Sequence, residues 1–131
     1  MGKTILIVDD SATTRAIIKR TIQMCGIEGA TILEAGNGKE GLAAVAKAMN
    51  RIDLVLADLH MPEMDGAEMT RRLCADPATK HVPVVICSAE PNAAKIESLM
   101  QSGAKGHLRK PFTPEGIRKA ITAVLEVARA A

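Results

Sequence analysis

Ile5-Leu6-Ile7-Val8-Asp9-Asp10-Ser11 places four consecutive apolar residues directly before two acids and a hydroxyl. A run of four is too short for the apolar core of a secretory signal, and far short of the roughly 18 residues that a membrane helix needs. Its length suits a β-strand buried on both faces, which has no solvated side and so no reason to alternate apolar with polar residues. Leu54 to Ala57 and Val84 to Cys87 repeat the pattern, each again ending at a polar residue, Asp58 and Ser88. Ala30 to Glu34 and Gly106 to Arg109 are strand-length but mixed in character, as expected of strands at a sheet edge.

Helical periodicity fills the intervals. Ile18, Ile22 and Cys25 recur at steps of four and three, with Arg15 and Lys19 on another face and Gly26 as a stop. Leu42, Val45, Ala46 and Met49 form a second stripe, Met69 and Leu73 a third, and Ile96, Leu99 and Met100 a fourth that stops at Gly103. The last is the longest, with Ile117, Ile121, Val124, Leu125 and Ala128 behind a Thr113 N-cap and Pro114 in the first helical position. Five strand-then-helix units imply an α/β fold, because parallel neighbours need a crossover between them. With strands one, three and four central and two and five at the edges, the expected order is 2-1-3-4-5. This is the flavodoxin-like, doubly wound, five-stranded parallel sheet with helices on both faces. Residues 1–131 are expected to form a single domain.

Composition narrows the functional classes. With 47% hydrophobic and 24% charged residues the chain is neither disordered nor membrane-inserted, and one Phe with no Tyr or Trp leaves little for a base-stacking nucleic-acid platform. The three cysteines, Cys25, Cys74 and Cys87, have no CxxC spacing and sit in apolar patterns, so buried reduced thiols in a cytoplasmic protein are expected. Charge is uneven: residues 1–104 hold 11 basic and 13 acidic groups, and residues 105–131 hold 6 and 2. Lys105, Arg109, Arg118 and Lys119 give that end a basic surface suited to an acidic partner, or simply a solvated helix face.

Open parallel sheets bind ligands beyond the carboxyl ends of their strands. Strand one ends in Asp9-Asp10, strand three in Asp58, strand four in Ser88 and strand five in Lys110-Pro111. Singly, each serves as an ordinary turn or cap residue; jointly they put three carboxylates, a hydroxyl and an ammonium at one edge. Clustered carboxylates repel, and a hard divalent cation relieves them; Mg2+ keeps open positions that phosphate oxygens fill. One carboxylate is then a nucleophile toward phosphorus, with the lysine neutralising the phosphoryl oxygens.

Asp9-Asp10-Ser11, the stretch Asp58-Leu59-His60-Met61-Pro62-Glu63-Met64-Asp65-Gly66, Ser88-Ala89-Glu90 and Lys110-Pro111-Phe112 together resemble a response-regulator receiver domain of the single-domain chemotaxis type. The resemblance spans nearly the whole chain. It implies that Asp58 accepts a phosphoryl group from a phosphohistidine on a sensor histidine kinase. It further implies that Asp9, Asp10, Asp58 and the backbone carbonyl of His60 hold Mg2+, that Lys110 contacts the phosphoryl group, and that Ser88 is the switching hydroxyl. In that family a cis peptide precedes the proline that Pro111 matches, which would aim Lys110 inward. In that family an aromatic residue on strand five moves into the space vacated at the position of Ser88, reshaping the surface of helix four, strand five and helix five. Here that position holds His107, so a smaller packing gain or a hydrogen bond takes the place of a phenol ring.

The function so implied is a two-component phosphorylation switch that catalyses its own phosphotransfer and dephosphorylation but is no turnover enzyme. It would be a monomer acting by docking, on a flagellar motor switch in chemotaxis or as a phosphorelay intermediate, with a phosphatase as a further partner. Two rivals come from other classes. An aspartyl-nucleophile phosphatase wants a second carboxylate two residues after Asp58, where His60 stands. A flavin module wants aromatic faces and a Ser/Thr-rich loop after strand one, and the chain has neither.

Overall fold

The computed structural model describes residues 3–24, 29–89, 92–110 and 113–130. Five strands alternate with five helices: β1 (Thr4–Val8), α1 (Ala12–Met24), β2 (Thr31–Ala35), α2 (Gly38–Lys47), β3 (Leu54–Asp58), α3 (Gly66–Ala75), β4 (Val84–Ser88), α4 (Ala93–Ser102), β5 (Gly106–Arg109) and α5 (Pro114–Ala130). The sheet is parallel throughout, in the order β2-β1-β3-β4-β5. This is the flavodoxin-like arrangement that the runs of apolar residues imply.

The period of two along a strand divides the core in half. Leu6, Val8, Val55, Ala57, Val84 and Ile86 face one way and pack with Val45, Met69, Leu73 and Leu99 from α2, α3 and α4. Ile5, Ile7, Leu54, Leu56, Val85 and Cys87 face the other way, against Ile18, Ile22, Ile117, Ile121 and Leu125 from α1 and α5. Every residue of β3 and β4 is buried, whereas β2 and β5 are partly exposed. Burial on both faces is therefore what made the central strands continuous apolar runs.

Local signals place the helices. Asp65 caps α3, its Oδ1 accepting from Glu68 N at 2.9 Å, and Glu68 pairs with Arg72 one turn on at 2.9 Å. Thr113 Oγ1 accepts from Gly116 N at 2.9 Å at the start of α5. Ser11, rather than Asp10, caps α1, with Thr14 N donating to its Oγ at 3.2 Å. The stop at Gly103 has φ +125, a conformation costly for a residue with a Cβ.

Three expectations need correction. Met49 is 69% exposed, because α2 ends at Lys47 and Met49 and Asn50 turn the chain with positive φ. Cys74 is only half-buried, lying on α3 beside Gly103, while Cys87 is buried as expected. Asp58 and Ser88 end their strands as expected, but Asp9-Asp10 and Lys110 lie just past the ends of β1 and β5 instead of ending them. Cys25, Gly26, Glu90, Pro111 and Phe112 lie outside the described residues, as does the side chain of Ala128.

Candidate functional site

The carboxyl ends of β1 and β3 lie side by side, since Val8 pairs with Ala57. Asp9 and Asp58 each come one residue later. The alternation that sends Ile7 and Leu56 toward α1 and α5 sends these two acids to the same side. Lys110, one residue past β5, arrives on that side by the same parity, and its backbone N–H donates to the Ser88 carbonyl at 3.0 Å. Its Nζ stands 3.3 Å from Asp9 Oδ2 and 3.4 Å from Asp58 Oδ1, bridging residues far apart in the chain. One carboxylate oxygen from each of Asp9, Asp10 and Asp58 lies within 4.8 Å of the others.

These groups differ in their freedom. Asp9 is 2% exposed and held from several directions. Its N–H donates to Ala35 O at 3.0 Å, its Oδ1 accepts from Ser11 N at 2.8 Å, and its carbonyl accepts from Arg15 Nη1 at 2.6 Å. Asp58 is 8% exposed and Asp10 faces solvent. Burial pushes the Asp58 carboxyl above its ordinary value; Lys110 pulls it back, and Asp9 and Asp10 push it up again. Burial alone would lower the Lys110 ammonium, but the two carboxylates beside it more than offset that and the net shift is upward. The Cys87 thiol nearby is pushed up to about 12, chiefly by burial, so it stays protonated and unreactive.

Three carboxylates against one ammonium give the cluster a formal charge of −2, and the clustered donors are carboxylate oxygens. That donor set fits a hard divalent cation such as Mg2+ and not a soft one. Ser88 is fully buried beside β3, one residue beyond Cys87, the partner of Asp58. Its strand parity assigns its side chain to the α3–α4 side of the sheet, where His107 also falls through its pairing with Ile86. His107 is half-buried and its Nε2 is buried, with no described residue hydrogen-bonding it. His60 is exposed, two residues past Asp58; His81 is a loop residue bonded to the Asn50 carbonyl at 3.0 Å.

Two contributors escaped the reading of the sequence. Gly66 has the look of turn chemistry beside an N-cap, yet a Cβ there would stand 2.0 Å from the Asp58 carbonyl oxygen. Its N–H also donates to Leu59 O at 3.0 Å, so the start of α3 presses directly on the backbone of Asp58. A glycine directly after the N-cap, where no turn demands one, was the available signal. Arg15 reads as a solvated face of α1, and nothing in its spacing announces the carbonyl it binds.

A buried acid pair bridged by lysine, with a third acid at the rim and a serine on the next strand, is the arrangement of a signalling receiver. Residues 5–122 match the response regulator receiver domain family, and the chain belongs to it. Among similar proteins is the chemotaxis protein CheY1 of Helicobacter pylori, 33% identical over 122 residues that cover 92% of this chain and 95% of that one. Among solved structures, the chemotaxis response regulator CheY4 of Vibrio cholerae superposes with a TM-score of 0.83 at 31% identity, covering 95% of this chain and all of that one. A response regulator receiver domain protein from Clostridium thermocellum gives a TM-score of 0.86 at 28% identity, covering 98% of each chain. The chain is thus a receiver of two-component signalling. Regulators of this family bind Mg2+ at an acidic pocket, act with histidine kinases and downstream targets, and are not conventional enzymes. No described helix is long and apolar enough to cross a membrane.

Proposed function

We propose that this protein is a phosphorylation switch whose acceptor is Asp58. The observation that carries the reading is the bridge from Lys110 Nζ to both Asp9 and Asp58, with Asp10 joining the same oxygen cluster. Asp9, Asp10, Asp58 and the carbonyl of His60 would hold Mg2+, which when bound neutralises charge on the phosphoryl oxygens. A carboxylate oxygen of Asp58 attacks phosphorus while the phosphorus–nitrogen bond of the kinase phosphohistidine breaks, its electron pair staying on the imidazole. Lys110, already shared between two carboxylates, swings one of its N–H donors to the incoming phosphoryl group. The ammonium of Lys110 beside Asp58 opposes the effect of burial on its carboxyl and so favours the ionised form that attacks.

Phosphorylation adds three acceptor oxygens and roughly −2 of charge. Ser88 turns its hydroxyl toward one of those oxygens, and His107, on the same side of the sheet, fills the space released. Lys110 carries the change as well, through its backbone bond to Ser88. The surface of α4, β5 and α5 is the output, and the exposed Lys105, Arg109, Arg118 and Lys119 suit it to an acidic partner. Chemotactic control of a flagellar motor in the cytoplasm is the favoured pathway, on the likeness to CheY proteins. Residues 1–131 form one receiver domain, which works as a monomer.

The test is intact mass after incubation with acetyl phosphate and Mg2+, for wild type and Asp58→Asn. Wild type gains the mass of one phosphoryl group and the variant does not. Labelling of both, or of neither, removes Asp58 as acceptor. Lys110→Ala should impair signalling more than metal affinity, and the reverse ranking would overturn its assigned role.

A further inference from the structure

Arg15 joins three elements that have no other reason to meet at one side chain. It sits in the first turn of α1, where its backbone N–H donates to Ser11 O at 3.0 Å. Its Nη1 reaches back to the Asp9 carbonyl at 2.6 Å, and its Nε reaches across to Glu34 Oε1 on β2 at 3.1 Å. Glu34 is available because β2 pairs with β1 in register, Glu34 opposite Ile7, which puts its side chain on the side that α1 covers. The Arg15 side chain is 20% exposed and that of Glu34 38%, so the pair lies at the boundary of protein and water.

The carbonyl that Arg15 grips belongs to the peptide unit joining Asp9 to Asp10. Peptide planarity means that fixing this oxygen also fixes the N and Cα of Asp10. Asp9 needs no such help, since its N–H and both carboxylate oxygens already have partners. Asp10 is the exposed member of the oxygen cluster, and its aim depends on how that one peptide is turned. A bare guanidinium near a cation site would oppose a divalent ion, and Glu34 cancels that charge where it stands. Lysine cannot replace the fork, because one nitrogen on a flexible stem does not hold two acceptors, one just past β1 and one on β2, in fixed geometry.

Building on the reading of the site as an Mg2+ centre, we propose that Arg15, anchored by Glu34, is a positioning residue that sets the Asp9–Asp10 peptide and so the direction of the Asp10 carboxylate toward the metal. It touches neither metal nor phosphoryl group; it acts through the backbone, as outer partners of metal ligands do.

Charge and geometry predict opposite signs, which makes the test decisive. Mg2+ affinity is measured by calorimetry for wild type, Arg15→Gln, Arg15→Lys and Glu34→Ala, with thermal melts in metal-free buffer to show that each is folded. Positioning predicts that Arg15→Gln weakens Mg2+ binding about tenfold, that Arg15→Lys does not restore it, and that Glu34→Ala weakens it in the same direction. Mere removal of a cation would tighten binding in Arg15→Gln and leave Arg15→Lys at the wild-type value; either result overturns the proposal. Acetyl phosphate labelling supplies the second readout. In Arg15→Lys the Mg2+ concentration for half-maximal rate rises, while the rate at saturating Mg2+ stays within about twofold of wild type; a reduced maximum with unchanged Mg2+ dependence also overturns it. If Arg15→Gln fails to fold, the Arg15→Lys affinity decides, because the charge is kept and only the fork is lost, and a wild-type value there refutes the strap. A wild type that binds no Mg2+ refutes the metal site itself, whereas a binding wild type with unaffected variants refutes only the role of Arg15.

Discussion

Strands β4 and β5 are hydrogen-bonded neighbours in one sheet, yet they follow different rules. All five residues of β4 are buried, and its only polar member, Ser88, is its last. Across the ladder, β5 has no buried residue, and its His107 pairs with the fully buried Ile86 while its own Nε2 lacks a described partner. A strand covered on both faces tolerates polar groups only at its end, where they meet others from neighbouring strands. A strand at the edge keeps alternatives open because less packing holds it. The chemistry-bearing groups therefore collect at the ends of the buried strands, and the proposed output surface lies along the less buried one.

The contrast is broken most directly by emptying the rigid side. Ile86→Ala should destabilise the domain by about 4 kcal/mol, and Leu108→Ala on half-buried β5 by clearly less, in paired urea denaturations. Equal losses would mean that the two strands are equally committed to the core. Gly66→Ala should cost about 3 kcal/mol by forcing a methyl group against the Asp58 carbonyl, and should slow phosphorylation as well. A stability loss with a normal labelling rate would show that the contact supports only the fold.

Electrostatics sharpen the comparison on a smaller scale. Burial raises the Asp58 pKa in the folded state above the ordinary 3.8, so the fold holds that proton more readily than the unfolded chain does. Stability accordingly falls as pH rises through the interval between the two values, and the full penalty applies above it. In the absence of Mg2+, Asp58→Asn should raise the melting temperature by about 3 °C near neutrality. Its advantage should vanish once the pH drops below 3.8, where both states are protonated. A neutral-pH melting temperature below that of wild type would mean that the ion pair with Lys110 outweighs burial. At the edge strand, His107→Phe removes a buried nitrogen without a described partner and should stabilise by about 1 kcal/mol, read by denaturation at pH 8. A destabilised variant would show that the imidazole has a polar role in the resting state.

The sequence alone determined the strand order and the acids at the strand ends. Continuous apolar runs at Ile5 to Val8, Leu54 to Ala57 and Val84 to Cys87 can arise only where both faces are covered, and the period of two then carries Asp9, Asp58 and Lys110 to one side. The helix caps at Asp65 and Thr113 were equally legible, since each is a contact between residues three apart. Only the tertiary structure decided that Gly66 abuts Asp58, that Arg15 reaches the Asp9 carbonyl and Glu34, and that Met49 points to solvent while His107 keeps a ring nitrogen buried. Each of these depends on how a helix seats on the sheet to within an ångström or so, a sum of many weak contacts along its length. Local pattern records which face a residue takes and carries no measure of the distance between elements.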